Sequence, residues 1–255
     1  MIGVVGAGAF GTALAVALAR DGRDVMLWAR DPALVAHMAR TRQNAGRLAD
    51  VELPETVSVT AEIVDLCPSD AVLLALPMQA LSGFLTGSGQ VLNGLPMVAC
   101  CKGVDLATLA GPSAVIAAAS PASKMAVLTG PSFAADIGRG MPTALTLACS
   151  DTGAGQDLQQ LISTPVLRIY LSQDVIGAEL GGALKNVIAI AAGVVMGAGL
   201  GESARAALIT RGYAEMVPLA LRLGAQPDTL AGLSGFGDLV LTCTSPQSRN
   251  FRFGM

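Results

Sequence analysis

The stretch that decides the fold is Ile2-Gly3-Val4-Val5-Gly6-Ala7-Gly8-Ala9-Phe10-Gly11. It predicts a short β-branched strand and a Gly-x-Gly-x-x-Gly turn, after which an Ala- and Leu-rich helix runs to Arg20. In such a turn Gly6 allows the tight bend, Gly8 lets a pyrophosphate lie against bare backbone, and Gly11 lets the helix approach the sheet. The helix N-terminus offers phosphates its free N–H groups and positive dipole end. A second strand, Asp24 to Trp28, completes the context for dinucleotide binding. The alternative is a purely structural turn.

The composition is that of a globular protein with a large core. Of the 255 residues, 52% are hydrophobic and 14% are charged, which predicts one large domain or two unequal ones. The net charge is −3 and no basic run occurs, which argues against a nucleic-acid or anionic-membrane surface.

Cysteine usage and hydropathy predict a soluble, cytoplasmic protein. The five cysteines form no Cys-x-x-Cys pair, and we expect buried thiols in a reducing compartment. The first strand begins at Ile2, which leaves no room for a leader peptide. The uncharged stretch Asn186 to Gly201 is short and glycine-rich for a membrane span, so we expect no integral membrane protein. No metal site is expected.

Further apolar runs predict a Rossmann-type, doubly wound, mostly parallel α/β sheet followed by an all-α domain. Helix-period segments replace strands after Asp174, a candidate N-cap, so we place a dinucleotide-binding domain at 1–172 and a helical substrate domain at 173–255. The stretch Asn44 to Pro54 is loop-like. The predicted strands include Val57–Thr60, Asp70–Pro77, Met97–Cys101, Met125–Leu128, Ala144–Ala148 and Val166–Tyr170, and the helices Val175 to about Gly199, Ser203 to about Leu223, and one from near Pro227.

The end of the second strand bears on cofactor choice. Asp31 precedes Pro32 and is expected to be an N-cap, which leaves Arg30 to meet a ribose 2′-phosphate; the alternative is a solvated surface arginine. His37 lies on the helix that follows, on the adenine side of such a fold, and is expected at the surface. A proton donor must then come from elsewhere.

Two isolated charges in apolar surroundings predict the chemistry. Lys185 is the only ionisable side chain between Glu179 and Glu202. Desolvation would lower its pKa and make it a proton donor and acceptor near neutrality, unless it extends to water. Asp238 is similarly isolated and could pair with this lysine, or it could instead be a helix cap.

Three further segments offer groups for an anionic ligand. Lys102 follows a predicted strand, and Gly130-Pro131-Ser132-Phe133-Ala134 follows another and opens a helix. Ser248-Arg249-Asn250 could clamp a phosphate or a carboxylate, although the triplet alone is unspecific.

Together these motifs resemble the bacterial sn-glycerol-3-phosphate dehydrogenase [NAD(P)+] family along the whole chain. The resemblance also includes Leu180 to Ile190, Ala207 to Gly212 and Gly237 to Thr244. It implies NAD(P)H-dependent reduction of dihydroxyacetone phosphate to sn-glycerol 3-phosphate, which feeds glycerophospholipid synthesis. NADPH is favoured over NADH because of Arg30, the substrate is a triose phosphate, and a homodimer is compatible with the family.

The resemblance also implies roles for individual residues. Lys185 would be the proton donor and acceptor, positioned by Asp238, and Lys102 would stabilise charge on the reacting oxygen. The substrate-binding residues would be Lys102, Gly130, Ser132, Lys185, Asp238, Ser248, Arg249 and Asn250. The cofactor-binding residues would be Gly6, Gly8, Ala9, Phe10, Gly11, Arg30, Lys102, Ala134 and Arg249.

The chain departs from the family pattern at a few places. Ala9 stands where serine is frequent, and Cys101 where threonine commonly precedes the lysine. Family members continue through further helices, so we expect the helical domain to be incomplete. The rival functions are a β-hydroxyacid dehydrogenase or ketopantoate-type reductase, which would take a carboxylate substrate, and a non-catalytic nucleotide sensor, which would not need Lys185.

Overall fold

The computed structural model describes residues 1–255. The strands are β1 (Ile2–Val5), β2 (Val25–Trp28), β3 (Gln43–Asn44), β4 (Leu48–Glu52), β5 (Val57–Thr60), β6 (Ala71–Leu74), β7 (Met97–Ala99), β8 (Met125–Thr129), β9 (Thr143–Ala148) and β10 (Leu167–Ser172). The helices are α1 (Ala9–Arg20), α2 (Pro32–Thr41), α3 (Met78–Thr86), α4 (Pro112–Ala119), α5 (Ala134–Gly138), α6 (Thr152–Ile162), α7 (Val175–Gly197), α8 (Glu202–Arg222), α9 (Pro227–Ala231), α10 (Asp238–Thr244) and α11 (Arg249–Gly254). Short 3₁₀ turns lie at Ile63–Leu66 and Ser88–Leu92, and a π-helical turn lies at Leu233–Gly237.

Eight strands form one sheet in the order β10-β9-β8-β7-β6-β1-β2-β5. All neighbouring pairs are parallel except β8 with β9, which are antiparallel. The inner strands β1, β6 and β7 are buried along their whole length, as expected of strands covered by helices on both faces. The predicted doubly wound, mostly parallel sheet is therefore confirmed, and its strand order reverses at β1.

Two hydrophobic clusters cover the two faces of this sheet. One contains the buried residues of α1, and the other contains those of α3 and α4 together with Val175 and Ala178 at the start of α7. Two smaller clusters lie among the helices that follow β10. The first residues of α7 thus pack on the sheet while the rest of the helix belongs to the helical part. The proposed division at 172/173 lies between the end of β10 at Ser172 and the start of α7 at Val175.

Asp174 caps α7 as the sequence predicts. Its carboxylate accepts hydrogen bonds from the N–H groups of Gly177 at 2.8 Å and of Gln226 at 2.7 Å. The carboxylate therefore satisfies a free N–H at the start of the helix and also ties the helix to the segment that precedes α9.

Helix α7 is the centre of the helical part, and its glycines set the distances to its neighbours. A methyl group on Gly181 would meet the backbone at Ser234, and one on Gly193 would overlap the carbonyl oxygen of Phe251 in α11. The helix is also long and apolar enough to cross a membrane, with a mean hydropathy of 1.6 over 18 residues. It packs instead on α8, α10 and α11, as the core helix of this bundle.

The structure corrects two expectations from the sequence. The stretch from Asn44 to Pro54 contains β4, which pairs antiparallel with β3, so most of it is an ordered ribbon and not a loop. The guanidinium of Arg42 anchors this ribbon by donating to the carbonyl oxygens of Leu53, Pro54 and Val57. All five cysteines are free, but Cys67, which directly follows the 3₁₀ turn Ile63–Leu66, is exposed and so departs from the expected buried thiols.

The packing of α7 on α11 predicts opposite effects of two glycine-to-alanine substitutions. Gly193→Ala should lower the free energy of unfolding by about 1–3 kcal/mol, because the added methyl group would force the two backbones apart. Gly83→Ala is the matched control, since a methyl group on Gly83 in α3 would have no neighbouring atom within 4 Å. This control should raise stability by up to about 1 kcal/mol through helix propensity. Urea unfolding followed by circular dichroism measures both, and an equal effect of the two changes would contradict the packing argument.

Candidate active site

Asp238 lies between two lysines that come from different parts of the fold. Its Oδ1 is 2.5 Å from Nζ of Lys185 on α7, and its Oδ2 is 2.5 Å from Nζ of Lys102, which follows β7. Asp238 and Lys185 are buried, with exposed fractions of 1% and 5%, whereas Lys102 is half-buried. The structure thus brings together the three residues that the sequence singled out for chemistry, which we call the lysine–aspartate–lysine cluster.

Local backbone features put these side chains in place. Gly182 lies one turn before Lys185, and the stem of Lys102 and the hydroxyl of Thr129 pass close to its Cα. The π-helical turn Leu233–Gly237 leads into α10, whose first residue is Asp238. The only contact of the carboxylate within its own helix is the Thr242 hydroxyl, 3.5 Å from Oδ1, and not a backbone N–H. Its oxygens are instead directed to the lysines, so the helix-cap alternative for Asp238 does not describe its contacts.

The pKa of Lys185 is lowered to about 7 from an ordinary value of 10.5. Burial is the largest cause, and the positive charge of Lys102 acts in the same direction. The Asp238 carboxylate opposes both effects but does not cancel them. Lys185 therefore exists in protonated and neutral forms near neutral pH, which suits a group that gives and takes a proton.

Thr242 is a partner of Lys185 that sequence reasoning missed. The Lys185 ammonium donates a hydrogen bond of 2.8 Å to its Oγ1, and the Thr242 hydroxyl donates to the backbone carbonyl of Asp238 at 2.6 Å. Thr242 lies four residues after Asp238, so the two share one face of α10. That spacing was the signal in the sequence that could have found it.

Lys102 also contacts the loop after β8. Its Nζ donates to the carbonyl oxygen of Gly130 at 3.0 Å, and the hydroxyl of Ser132 donates to the same oxygen at 3.2 Å. Gly130 has a φ of +140°, a conformation that disfavours a side chain. The predicted residues Lys102, Gly130 and Ser132 therefore lie together, and Ala134 begins α5 directly beyond them.

A carboxylate on α7 holds the segment that follows Lys102. Oε1 of Glu179 accepts a hydrogen bond of 2.6 Å from the N–H of Ser113 in the first turn of α4. Gly111 allows this approach, because a methyl group there would overlap the carboxylate. Burial raises the pKa of Glu179. The helix that carries Lys185 is thus hydrogen-bonded to the start of α4, at the end of the segment from Lys102 to Ser113.

The triplet Ser248-Arg249-Asn250 starts α11 near the cluster. The Ser248 hydroxyl oxygen caps the helix by accepting from the N–H of Phe251 at 3.2 Å. Asn250 donates to the side chain of Asn186, the residue after Lys185, at 2.7 Å. Arg249 is exposed and makes no salt bridge. Asn186 is a second neighbour of the cluster that sequence reasoning did not name, and the ligand roles of the triplet stay predictions.

The glycine turn has the shape that a dinucleotide requires. Gly6 has a φ of +109°, and a methyl group on Gly11 would overlap the carbonyl oxygen of Gly6. A methyl group on Gly8 would meet no atom within 4 Å, so the backbone at Gly8 is open. The N–H groups of Ala9 and Phe10 begin α1, which has no side-chain cap. This open, uncapped helix start fits a pyrophosphate group.

The end of β2 matches the expectation for the adenine side. Asp31 caps α2 by accepting from the N–H of Ala33 at 2.9 Å, and Arg30 is exposed with no salt bridge. His37 is also exposed on α2, as expected. The candidate proton donor is therefore Lys185.

Lys185→Met tests the cost of burying this lysine. The variant should melt a few degrees higher at about pH 6, because a buried cation is removed while Asp238 keeps Lys102 as its partner. The pKa of Lys185 is about 7 in the folded protein and 10.5 ordinarily, so the unfolded chain binds more protons between these values. Wild-type stability therefore rises across that window, and the advantage of methionine should shrink towards about pH 9.

Thermal melts over this pH range measure the effect. Lys124→Met is the control, since Lys124 is exposed and pairs with Asp151 at the surface, where no pH-dependent advantage of methionine is expected. A stability difference between wild type and Lys185→Met that stays constant from about pH 6 to about pH 9 would contradict the lowered pKa.

Comparison with known proteins identifies relatives along the whole chain. The family model described as the NAD-dependent glycerol-3-phosphate dehydrogenase N-terminus matches residues 1–154, and the corresponding C-terminus model matches residues 174–255. Glycerol-3-phosphate dehydrogenase [NAD(P)+] of Cereibacter sphaeroides is 63% identical over 254 residues, and that of Paracoccus denitrificans is 60% identical. These alignments cover 100% of this chain and 78% and 79% of the relatives.

A solved structure agrees with these relatives. The crystal structure of glycerol-3-phosphate dehydrogenase from Coxiella burnetii superimposes with a TM-score of 0.94 at 38% identity. The match covers 99% of this chain and 78% of that one.

Proposed function

The chain belongs to the NAD-dependent glycerol-3-phosphate dehydrogenase family, and on this basis we propose that it reversibly reduces dihydroxyacetone phosphate to sn-glycerol 3-phosphate. It is accordingly an oxidoreductase that uses NAD or NADP, and its product belongs to lipid metabolism. One observation carries the assignment of catalytic roles. Lys185 is buried, is paired with Asp238, and has a pKa of about 7.

Lys185 transfers the proton of this reaction. Its ammonium gives a proton to the C2 carbonyl oxygen of the substrate as that oxygen becomes a hydroxyl, and in reverse the neutral amine accepts it. Asp238 and Thr242 hold Nζ in one position through the contacts described above. The ammonium of Lys102 lies at the other carboxylate oxygen and stabilises negative charge that develops on the reacting oxygen.

The turn and helix of the first β-α-β unit hold the cofactor, which supplies the hydride to C2 when bound. The backbone at Gly8, Ala9 and Phe10 binds the pyrophosphate, because no side chain caps this helix start and the space beside Gly8 is open. Gly6, whose N–H donates to the carbonyl oxygen of Trp28, and Gly11 give the turn its shape. Lys102, Ala134 and Arg249 would line the rest of the cofactor site. Each of these three roles rests on the family resemblance.

The substrate phosphate has cationic and polar partners at the start of α11. Arg249 is exposed there with no salt bridge of its own, so its guanidinium can bind two phosphate oxygens. The site around the substrate would be completed by Asn250, Ser248, Gly130 and Ser132. An anchored phosphate restricts the position of C2 and so raises the fraction of productive encounters.

We also propose a cellular location, a domain division and an oligomeric state for the protein. Five free cysteines, four of them buried, suit a reducing cytoplasm. The end of the sheet at Ser172 supports a dinucleotide-binding domain at 1–172 and a substrate domain at 173–255. A homodimer stays a prediction.

Two rival functions are not favoured. A β-hydroxyacid dehydrogenase or ketopantoate-type reductase would take a carboxylate substrate and is a different family from the one matched here. A non-catalytic nucleotide sensor would have no use for a buried lysine with a pKa near 7.

Lys185→Met is also the test of the reaction. Turnover of dihydroxyacetone phosphate with NADPH should fall by about 10²–10⁴-fold, as for a lost general acid, while cofactor binding persists. In wild type, kcat/KM for reduction should decrease as pH rises through about 7, because the proton donor is lost. For oxidation of glycerol 3-phosphate, kcat/KM should increase over the same range, because the neutral amine is then the base.

Steady-state kinetics in both directions provide the measurement, with Lys124→Met as a surface control that should keep normal turnover. Near-normal turnover by folded Lys185→Met would contradict the role of this lysine. Efficient reduction of a 2-keto acid in place of the triose phosphate would contradict the proposed substrate.

Arg30→Ala tests the proposed preference for NADPH. The loss of a charge-assisted contact to the 2′-phosphate should weaken NADPH binding by roughly 10- to 100-fold and leave NADH binding unchanged. Dissociation constants from nicotinamide fluorescence give both values. Equal losses of affinity for NADPH and NADH would show that Arg30 does not contact the 2′-phosphate.

A further inference from the structure

Asn44 contacts the glycine turn from a segment more than thirty residues away. It lies in β3 and is fully buried. Its side-chain Nδ2 donates one hydrogen bond of 2.9 Å to the carbonyl oxygen of Ala7 and another of 2.8 Å to the hydroxyl of Thr12. Ala7 is the residue between Gly6 and Gly8, and Thr12 lies in the first turn of α1. One amide group thus links the ribbon, the turn and the helix start.

The orientation of this amide is set by its partners. Both Nδ2 hydrogens are used, and a flipped side chain would place Oδ1 against the Ala7 carbonyl oxygen, so that two acceptors would face each other. Oδ1 itself is buried with no hydrogen-bond partner. Such a buried, unpaired acceptor is unusual, which indicates that the donor side of the amide is what the position requires.

The ribbon is rigid enough to hold Asn44 in place. Arg42 has a left-handed backbone with a φ of 54° and ends α2, so the chain turns directly into β3. The N–H of Leu53 donates to the carbonyl oxygen of Arg42 at 2.8 Å, and the Arg42 guanidinium donates to the carbonyl oxygen of Val57 at 2.9 Å. Asn44 therefore rests on a frame that is itself hydrogen-bonded to the edge of the sheet.

Holding the Ala7 carbonyl also fixes the direction of the next N–H. The carbonyl of Ala7 and the N–H of Gly8 belong to one planar, trans peptide group and point in opposite directions. With the oxygen held by Asn44, the Gly8 N–H points to the opposite side of the peptide group from Asn44. The space where a Gly8 side chain would lie is also open.

We propose that Asn44 is a positioning residue for cofactor binding, which orients the Gly8 N–H towards the pyrophosphate by holding the Ala7 carbonyl. This inference rests on the proposed function, because it takes a nicotinamide dinucleotide as the ligand. The pyrophosphate is common to NADPH and NADH, so Asn44 affects both cofactors equally. Arg30, in contrast, affects only the one with a 2′-phosphate.

The experiment measures dissociation constants of NADPH and NADH for wild type, Asn44→Asp and Asn44→Ala by nicotinamide fluorescence. Both variants should weaken both cofactors by about tenfold or more, with the ratio of the two constants unchanged. The aspartate variant has nearly the same shape but lacks the amide donor. The KM for cofactor should rise while kcat at saturating cofactor stays within about threefold of wild type.

Thr12→Val is the matched control, since it removes the second partner of the amide and leaves the bond to Ala7. It should keep both dissociation constants within about twofold of wild type, although its melting temperature falls. If Asn44 had a merely structural role, its variants would behave like Thr12→Val. They would melt at a lower temperature and would bind both cofactors with unchanged affinity. Unchanged affinity in folded Asn44→Asp would therefore overturn the proposal.

The remaining outcomes are also decisive. If Asn44→Ala and Asn44→Asp do not fold, the dissociation constants of NADPH and NADH are measured for Asn44→Ser. Unchanged affinity of that variant would also overturn the proposal. A changed NADPH/NADH ratio would place the effect at the ribose and contradict a pyrophosphate role. Wild-type protein that binds NADPH but does not reduce dihydroxyacetone phosphate would contradict the proposed function while leaving the role of Asn44 intact.

Discussion

The carboxylate of Asp238 is held between Lys185 and Lys102, and both the fold and the chemistry depend on this contact. One lysine comes from the central helix of the helical part and the other from the end of a sheet strand, so the cluster exists only when the two parts pack together. A buried carboxylate is costly without cationic partners, and each lysine alone would be a buried or half-buried cation without a partner. The three residues therefore join the sheet to the helices at the candidate site of proton transfer.

The charge balance of the cluster differs from that of the whole protein. The chain has a net charge of −3, yet whenever Lys185 is protonated the two lysines and one aspartate leave one positive charge at the centre of the site. The exposed Arg249 adds another at the start of α11. An anionic substrate thus meets a locally positive site in an acidic protein, an arrangement that raises the local concentration of the correct ligand.

Part of this site was predictable from the sequence, and the reasons differ from residue to residue. Lys185 and Asp238 each stood alone in an apolar stretch, and burial of such charges requires a partner, so composition offered their pairing as one interpretation beside a helix cap for Asp238. The contact of Lys102 with Asp238 joins residues 136 positions apart, and no local pattern encodes such a distance. Thr242 could have been inferred from its spacing of four residues from Asp238. That spacing predicts a shared helix face only once the segment is known to be helical.

The fold shows the same contrast. The sheet strands are continuous apolar runs, which periodicity detects, and the glycine turn has its own spacing. The ribbon of β3 and β4 lacks alternation and instead depends on the side chain of Arg42, which donates to three carbonyl oxygens from outside the strands. Strands that depend on one long side chain need no alternation of apolar and polar residues. The hydropathy pattern of this segment was therefore that of a loop.

The glycines of α7 have a consequence for motion. Gly181, Gly193 and Gly197 place its backbone directly against the backbones of the π-helical turn and α11, with no side chains between them. Helices that slide over one another do so by small adjustments of interdigitated side chains, and the contacts at these three glycines have none to adjust. We therefore expect α7, the π-helical turn and α11 to move as one rigid body. Separation of the helical part from the sheet would then be a hinge rotation near the join of β10 and α7, and would require the polar contacts of Lys102 and Glu179 to break.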